Sequence, residues 1–145
     1  MTPKEIRNIL KKYGWRFNWR QEFGDTKGKI YKLVIEGDPT IQGLICIEPM
    51  DGFVEMHLIE AAPHNYGKSK RYLGVAGNLV AFACRESFEL GFEGYVAFTA
   101  KTDLISHYEH SLGAELMFHS RMKIATEPAE KLVNSYYKSY FSAGR

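Results

Sequence analysis

The sequence lacks most of the features that would mark a specialised class. It has only two cysteines, Cys46 and Cys84, set in the apolar runs Leu44-Ile45-Cys46-Ile47 and Ala81-Phe82-Ala83-Cys84. That excludes a disulfide scaffold and reads as two buried, reduced thiols. Long hydrophobic runs are also missing: the longest uncharged stretch, residues 72–84, includes Asn78 and falls short of the roughly 20 apolar residues of a membrane span. No membrane partner is therefore expected. The start, Met1-Thr2-Pro3-Lys4-Glu5, shows no apolar core behind a basic flank, so the expected compartment is cytoplasmic. Charge of one sign is scarce as well, with 19 Lys+Arg against 17 Asp+Glu, a balance too even to imply a nucleic-acid partner by charge alone; none is expected, and the alternative is binding through Lys68, Lys70 and Arg71 with Tyr66 and Tyr72. With no repeat, linker or low-complexity tract, the 145 residues read as one domain, 1–145. A domain of that size builds a core without disulfides or structural metal.

What is present is an ordered series of periodic segments. Thr2 and Pro3 suit the start of a helix carrying Ile6, Ile9, Leu10 and Tyr13 and stopped at Gly14. Strands are expected at 16–23, 29–35, 42–48 and 53–60, separated by the turn residues Gly24-Asp25, Gly37-Asp38-Pro39 and Pro49-Met50-Asp51-Gly52. Residues 74–90 fit a helix buried over a wide face, ending at Gly91. A strand at 94–100, a helix at 103–112 stopped at Gly113, and a strand pair or one bent strand at 115–125 follow. A last helix, with Thr126 as its cap, carries the stripe Leu132, Val133, Tyr136, Tyr137, Tyr140 and Phe141. That stripe packs on its own domain or forms a homodimer contact. An antiparallel meander joined to one strand-helix-strand crossover gives an α+β fold with a mixed sheet.

The loop before the long helix, Asn65-Tyr66-Gly67-Lys68-Ser69-Lys70-Arg71-Tyr72-Leu73-Gly74-Val75-Ala76-Gly77, combines glycines, cations and a helix start. A helix N-terminus presents unpaired amides and partial positive charge, so phosphate oxygens can be held there if side chains leave room. Gly74, Ala76 and Gly77 leave it, and Lys68, Lys70 and Arg71 add charge at the rim. The pattern Arg71-x-x-Gly74-x-Ala76 between a strand and a long helix, followed by Tyr108 ahead of Leu112-Gly113, resembles the GCN5-related N-acetyltransferases over roughly residues 29–123. The resemblance implies a central mixed, mostly antiparallel sheet flanked by helices, and acetyl-CoA held by Arg71, Tyr72, Leu73, Gly74, Val75, Ala76 and Gly77. It also implies acetyl transfer to a primary amine by direct attack in a ternary complex, with Tyr108 protonating the leaving thiolate. The sequence departs from the family at Thr102-Asp103 and at Gly113-Ala114.

Removing a proton from an ammonium of pKa about 10.4 calls for a base. Glu55 and Glu60 lie on the strand before the loop and, five apart, are expected on opposite faces, Glu55 sharing its face with His57 and Ile59. His57 is the alternative base. His107, His110 and His119 have no cysteine partner and no ligand spacing, so no metal is expected. The alternative to an enzyme is a non-catalytic acyl-CoA-binding regulatory or interaction module. The acceptor amine is not named by the sequence.

Overall fold

A computed structural model of the chain describes residues 1–7, 9, 13–65 and 74–141. The expectations for Leu10 and for residues 66–73 lie outside them. Among the described residues the α-helices and strands follow in the order α1 (Pro3–Ile6), α2 (Trp19–Asp25), β1 (Lys29–Ile35), β2 (Asp38–Pro49), β3 (Val54–Ala61), α3 (Val75–Glu89), β4 (Val96–Thr99), α4 (Ile105–Leu112), β5 (Glu115–Phe118), β6 (Arg121–Ile124) and α5 (Thr126–Tyr136). The six strands form one mixed sheet in the order β1-β2-β3-β4-β6-β5. Every pairing is antiparallel except β3 with β4, which α3 joins as a crossover.

Local chemistry explains most element boundaries. Thr2 and Glu5 form a reciprocal capping box, Glu5 N–H donating to Thr2 Oγ1 at 3.2 Å and Thr2 N–H to Glu5 Oε1 at 3.0 Å. The helix they start ends at Ile6, earlier than its apolar spacing implied. Two-residue turn chemistry at Glu36-Gly37, with Gly37 at φ +82°, lets β2 begin at Asp38 rather than at Gln42.

Residues 16–23 are not a strand. Asn18 caps α2 by accepting from Gln21 N–H at 3.1 Å, and Trp19 and Phe23, four apart, place their rings together in one apolar cluster. The alternation of Trp15, Phe17 and Trp19 imitates a strand, and the cap overrides it. Thr126 is not a cap either: its hydroxyl donates to the Glu93 carbonyl at 2.7 Å, tying the start of α5 to the loop before β4.

Two cores lie on opposite faces of the sheet. On one, Ile45, Ile47, Val54, Met56, Val96, Met122 and Ile124 meet α3 and α5. On the other, Leu44 and Cys46 meet Ile6, Trp15 and Trp19 from the N-terminal segment. This second core is closed by Glu60, which is 6% exposed. Its carboxylate accepts from Arg16 N–H at 2.6 Å, Phe17 N–H at 3.2 Å and Trp19 Nε1–H at 2.8 Å. The C-terminal stripe packs within the fold. Phe141 meets Phe88 edge-on at 5.0 Å, the Arg85 guanidinium sits 4.6 Å from the Tyr137 ring, and Tyr140 is buried. These contacts place Tyr137, Tyr140 and Phe141 against their own domain, while Tyr136 stays partly exposed.

Glu60→Ala leaves three donors without their acceptor, one of them on the fully buried Trp19, and is expected to lower stability by about 3 kcal/mol in urea titrations. Burial pushes the Cys46 thiol up to about 11 and the Cys84 thiol up to about 12 from an ordinary value near 9. Above pH 9 the unfolded thiols ionise while the folded ones keep their protons. The stability from burying them is thus complete below pH 9 and falls between pH 9 and 12. Cys84→Ala is expected to flatten that fall, read by urea titrations at pH 8 and pH 10.5.

Candidate active site

The site forms where the sheet opens. β3 and β4 pair only through Val54 with Val96 and Glu55 with Ala97; from Met56 onward β3 runs without a β4 partner. A bulge falls at the same place: Met56 lies opposite Ile47 and Leu58 opposite Cys46, so His57 is the extra residue. An extra residue increases local twist and reverses the alternation of faces beyond it.

Two cavities meet at this opening, of about 510 and 500 Å³, and share Arg16, Met56, Ile59, Ala61 and Tyr108. The first reaches the N-terminus of α3, where it is lined by Gly74, Val75, Ala76 and Gly77. Gly74 is the N-cap at φ +79° and no side chain caps the helix, so the first-turn amides have no acceptor within the helix. α3 can sit this close to the sheet because Gly43 has no side chain: a Cβ there would lie 2.8 Å from Val75 and 2.9 Å from Leu79. Beneath it, Asn65 Nδ2 donates to the Gln42 carbonyl at 3.1 Å and His64 Nε2 meets Gln42 Oε1 at 2.8 Å, fixing the chain just before residues 66–73. Arg71, Tyr72 and Leu73 lie outside the described residues.

The glycines of α3 have a second role that the sequence did not disclose. A Cβ at Gly77 would lie 2.3 Å from the Tyr136 hydroxyl, and one at Gly74 would lie 3.3 Å from it. Tyr136 of α5 therefore projects its phenol onto the first turn of α3 and forms a wall of the first cavity.

Tyr108 stands at the junction of both cavities. It is half-buried on α4, edge-on to Phe98 at 5.4 Å, and burial pushes its phenol pKa upward. It is therefore a proton donor, not a phenolate, at neutral pH. α4 ends behind it at Gly113, φ +69°, as its sequence implied.

The two glutamates do not point to opposite faces. Directly paired residues share a face, and Glu55 pairs with Glu48 while Glu60 pairs with Leu44, two positions of the same parity on β2. The bulge at His57 puts both on the side of Leu44 and Cys46, and sends Ile59, opposite Ile45, to the other face. Glu55 borders neither cavity and grips Arg121 through two bonds of 2.7 Å, while Arg121 also donates to Thr99 Oγ1 at 3.1 Å. Glu60 borders the second cavity with its carboxylate engaged by Arg16, Phe17 and Trp19. His57 lines the second cavity with Nε2 2.9 Å from Glu48 Oε1. A neutral imidazole facing a carboxylate donates to it, which leaves the Nδ1 lone pair uncommitted. Sequence spacing had no signal for Gln42, Glu48, Arg121 or Tyr136, whose partners are remote along the chain. Among the described residues no group of three His, Cys, Asp or Glu side chains could hold a metal ion, and no helix is long and apolar enough to cross a membrane.

A Gly77→Ala change separates the two roles of that glycine. In a Tyr136→Ala background the helix gains about 0.5–1 kcal/mol from the added methyl. In the parent chain the displaced Tyr136 ring offsets that gain. A double-mutant cycle in urea measures the difference, and equal effects in both backgrounds would refute the contact.

No protein-family model and no curated protein matches the sequence. Solved structures do match. The crystal structure of a Bacillus subtilis acetyltransferase in complex with CoA aligns with a TM-score of 0.56 at 14% identity, over 86% of this chain and 93% of that one. The KacTA–DNA complex aligns with a TM-score of 0.55 at 14% identity, covering 91% and 86%. A mutant of the AtaT toxin bound to the C-terminus of the antitoxin AtaR aligns with a TM-score of 0.53 at 13% identity, covering 83% and 78%. One of these complexes contains DNA, so the fold lends no support to the argument against nucleic acid drawn from charge balance. With its mixed six-stranded sheet opened between the two parallel strands and its long helix leading away from that opening, the chain has the fold of the GCN5-related N-acetyltransferase superfamily.

Proposed function

We propose that the chain is a single acyltransferase domain that transfers an acetyl group from acetyl-CoA to a primary amine by direct attack in a ternary complex. The observation that carries this reading is the meeting of two cavities at one phenol, one of them opening on an uncapped helix start. The α3 end fits a diphosphate: Val75, Ala76 and Gly77 border the first cavity at an uncapped helix start, and Ala76 and the two glycines carry no large side chain of their own. Arg71, Tyr72, Leu73 and Gly74 complete that grip in this reading. When bound, acetyl-CoA supplies a thioester whose acyl carbon the amine attacks.

The rest is the work of this chain. An acceptor in the second cavity lies beside His57, whose Nδ1 accepts the proton that the ammonium must lose, while Glu48 holds the ring and offsets the charge it gains. Main-chain N–H groups of β3 beyond Glu55, freed from β4, stand ready for the acyl oxygen. Tyr108 Oη donates its proton to the departing sulfur. Glu55 and Glu60, with their carboxylates engaged by Arg121 and by the N-terminal segment, act as anchors in this reading rather than as bases. That same engagement supports the second reading, a module that binds acyl-CoA without turning it over.

Calorimetry with CoA, together with thiol release from acetyl-CoA in the presence of amines, decides between them. Heat with CoA and amine-dependent thiol release are expected; heat without release leaves the binding module. Tyr108→Phe is expected to lower kcat about 10²-fold while leaving the Kd for CoA within about twofold, and undiminished kcat would remove Tyr108 as the acid.

A further inference from the structure

The cofactor side of the site holds a hydrogen-bonding group that acetyl transfer through Tyr108 and His57 does not use, the phenol of Tyr136. Resting on the acyl-CoA reading above, we infer that Tyr136 Oη binds the diphosphate of CoA, so that α5 adds a side-chain donor to the main-chain donors at the start of α3. Tyr136 is the last residue of α5, lies far along the chain from the loop before α3, and borders the first cavity.

The glycines of α3 fix where the hydroxyl sits. Gly74 is the N-cap and Gly77 follows three residues later, so the two share one face of the first turn. A Cβ at Gly77 would overlap Tyr136 Oη and come within 3.1 Å of the ring carbon that carries it, and a Cβ at Gly74 would lie 3.3 Å from the same oxygen. The oxygen is therefore seated against the first turn, at the uncapped end of the helix. Nothing else engages it. Among the described residues Tyr136 makes no hydrogen bond, ion pair or ring contact, whereas Tyr137 lies under the Arg85 guanidinium and Tyr108 meets Phe98 edge-on.

A hydroxyl at this place has a defined polarity. The partial positive charge of a helix start attracts the oxygen and turns the proton away from the helix, so the group faces a ligand as a donor. The amides of the first turn are donors as well. Donors from two elements at one spot call for a group that only accepts. A diphosphate answers that demand with charged oxygens, and the pantetheine arm does so less well because its amides bring N–H groups of their own. Met56, Ile59, Val80, Leu112 and Leu132, which also line the first cavity, offer that arm hydrocarbon contacts instead.

Tyr136→Phe removes the hydroxyl and keeps the ring that packs on Gly74 and Gly77. Calorimetry on the parent chain and the variant measures Kd for CoA and, by displacement of CoA, for ADP, which keeps a diphosphate and lacks the pantetheine arm and the 3′-phosphate. Both constants are expected to rise about tenfold in the variant, the size of one hydrogen bond to a charged group. Tyr137→Phe, one residue on and facing Arg85, is the control and is expected to leave both constants unchanged. An unchanged Kd for CoA in Tyr136→Phe, a loss for CoA without one for ADP, no displacement by ADP in the parent chain, or an equal loss in Tyr137→Phe overturns the role of Tyr136 alone. Absence of heat with CoA in the parent chain overturns the reading beneath it as well.

Discussion

The structure depends on a failure of strand pairing. β3 and β4 are held together for two residue pairs and then part. A parallel sheet that stayed closed would bury the whole of β3 and leave no room for a ligand. Two features mark the opening. The bulge at His57 increases the twist of β3, and Tyr108, edge-on to Phe98, lines the cavities at the opening. Opening a sheet also strips main-chain groups of their partners, a cost that persists in a folded protein only when the surrounding contacts over-determine the geometry.

Those contacts are polar clamps around the opening. Before the strands part, Glu55 reaches over β4 to Arg121 on β6 and so holds β3, β4 and β6 as one unit. After they part, Glu60 gathers the turn at Arg16 and Phe17 and the indole of Trp19, and brings the N-terminal segment against the free edge. At the far end Gln42 and Asn65 fix the chain that leads into residues 66–73. Each clamp uses a polar group that is largely buried and fully engaged. Such groups specify one arrangement more than they add net stability, because their desolvation offsets most of their attraction.

The glycines at α3 illustrate how one residue type answers two demands. Gly74 supplies the left-handed backbone that starts the helix, and Gly77 admits the Tyr136 phenol. The uncapped N-terminus of α3 is thereby also the place where α5 docks, so the cavity wall and the packing of the C-terminal helix are a single structural fact.

The sequence by itself determined what depends on near neighbours. The Thr2-Pro3 helix start, the turn at Gly37, the long apolar helix after Gly74 and the stop at Gly113 are all local signals, and together they made the mixed α+β architecture and the position of Tyr108 legible. Tertiary structure alone decided where the carboxylates point and what they hold. Counting from Glu55 to Glu60 predicts opposite faces, yet one bulged residue, visible only in the pairing with β2, puts them on the same face. Tertiary contact likewise gave Trp19, on the Asn18-capped helix, a buried partner in Glu60, and made Tyr136 a cavity wall. The reason is distance along the chain: periodicity and capping act within a few residues, whereas Glu60 finds Arg16 across 44 positions and Glu55 finds Arg121 across 66.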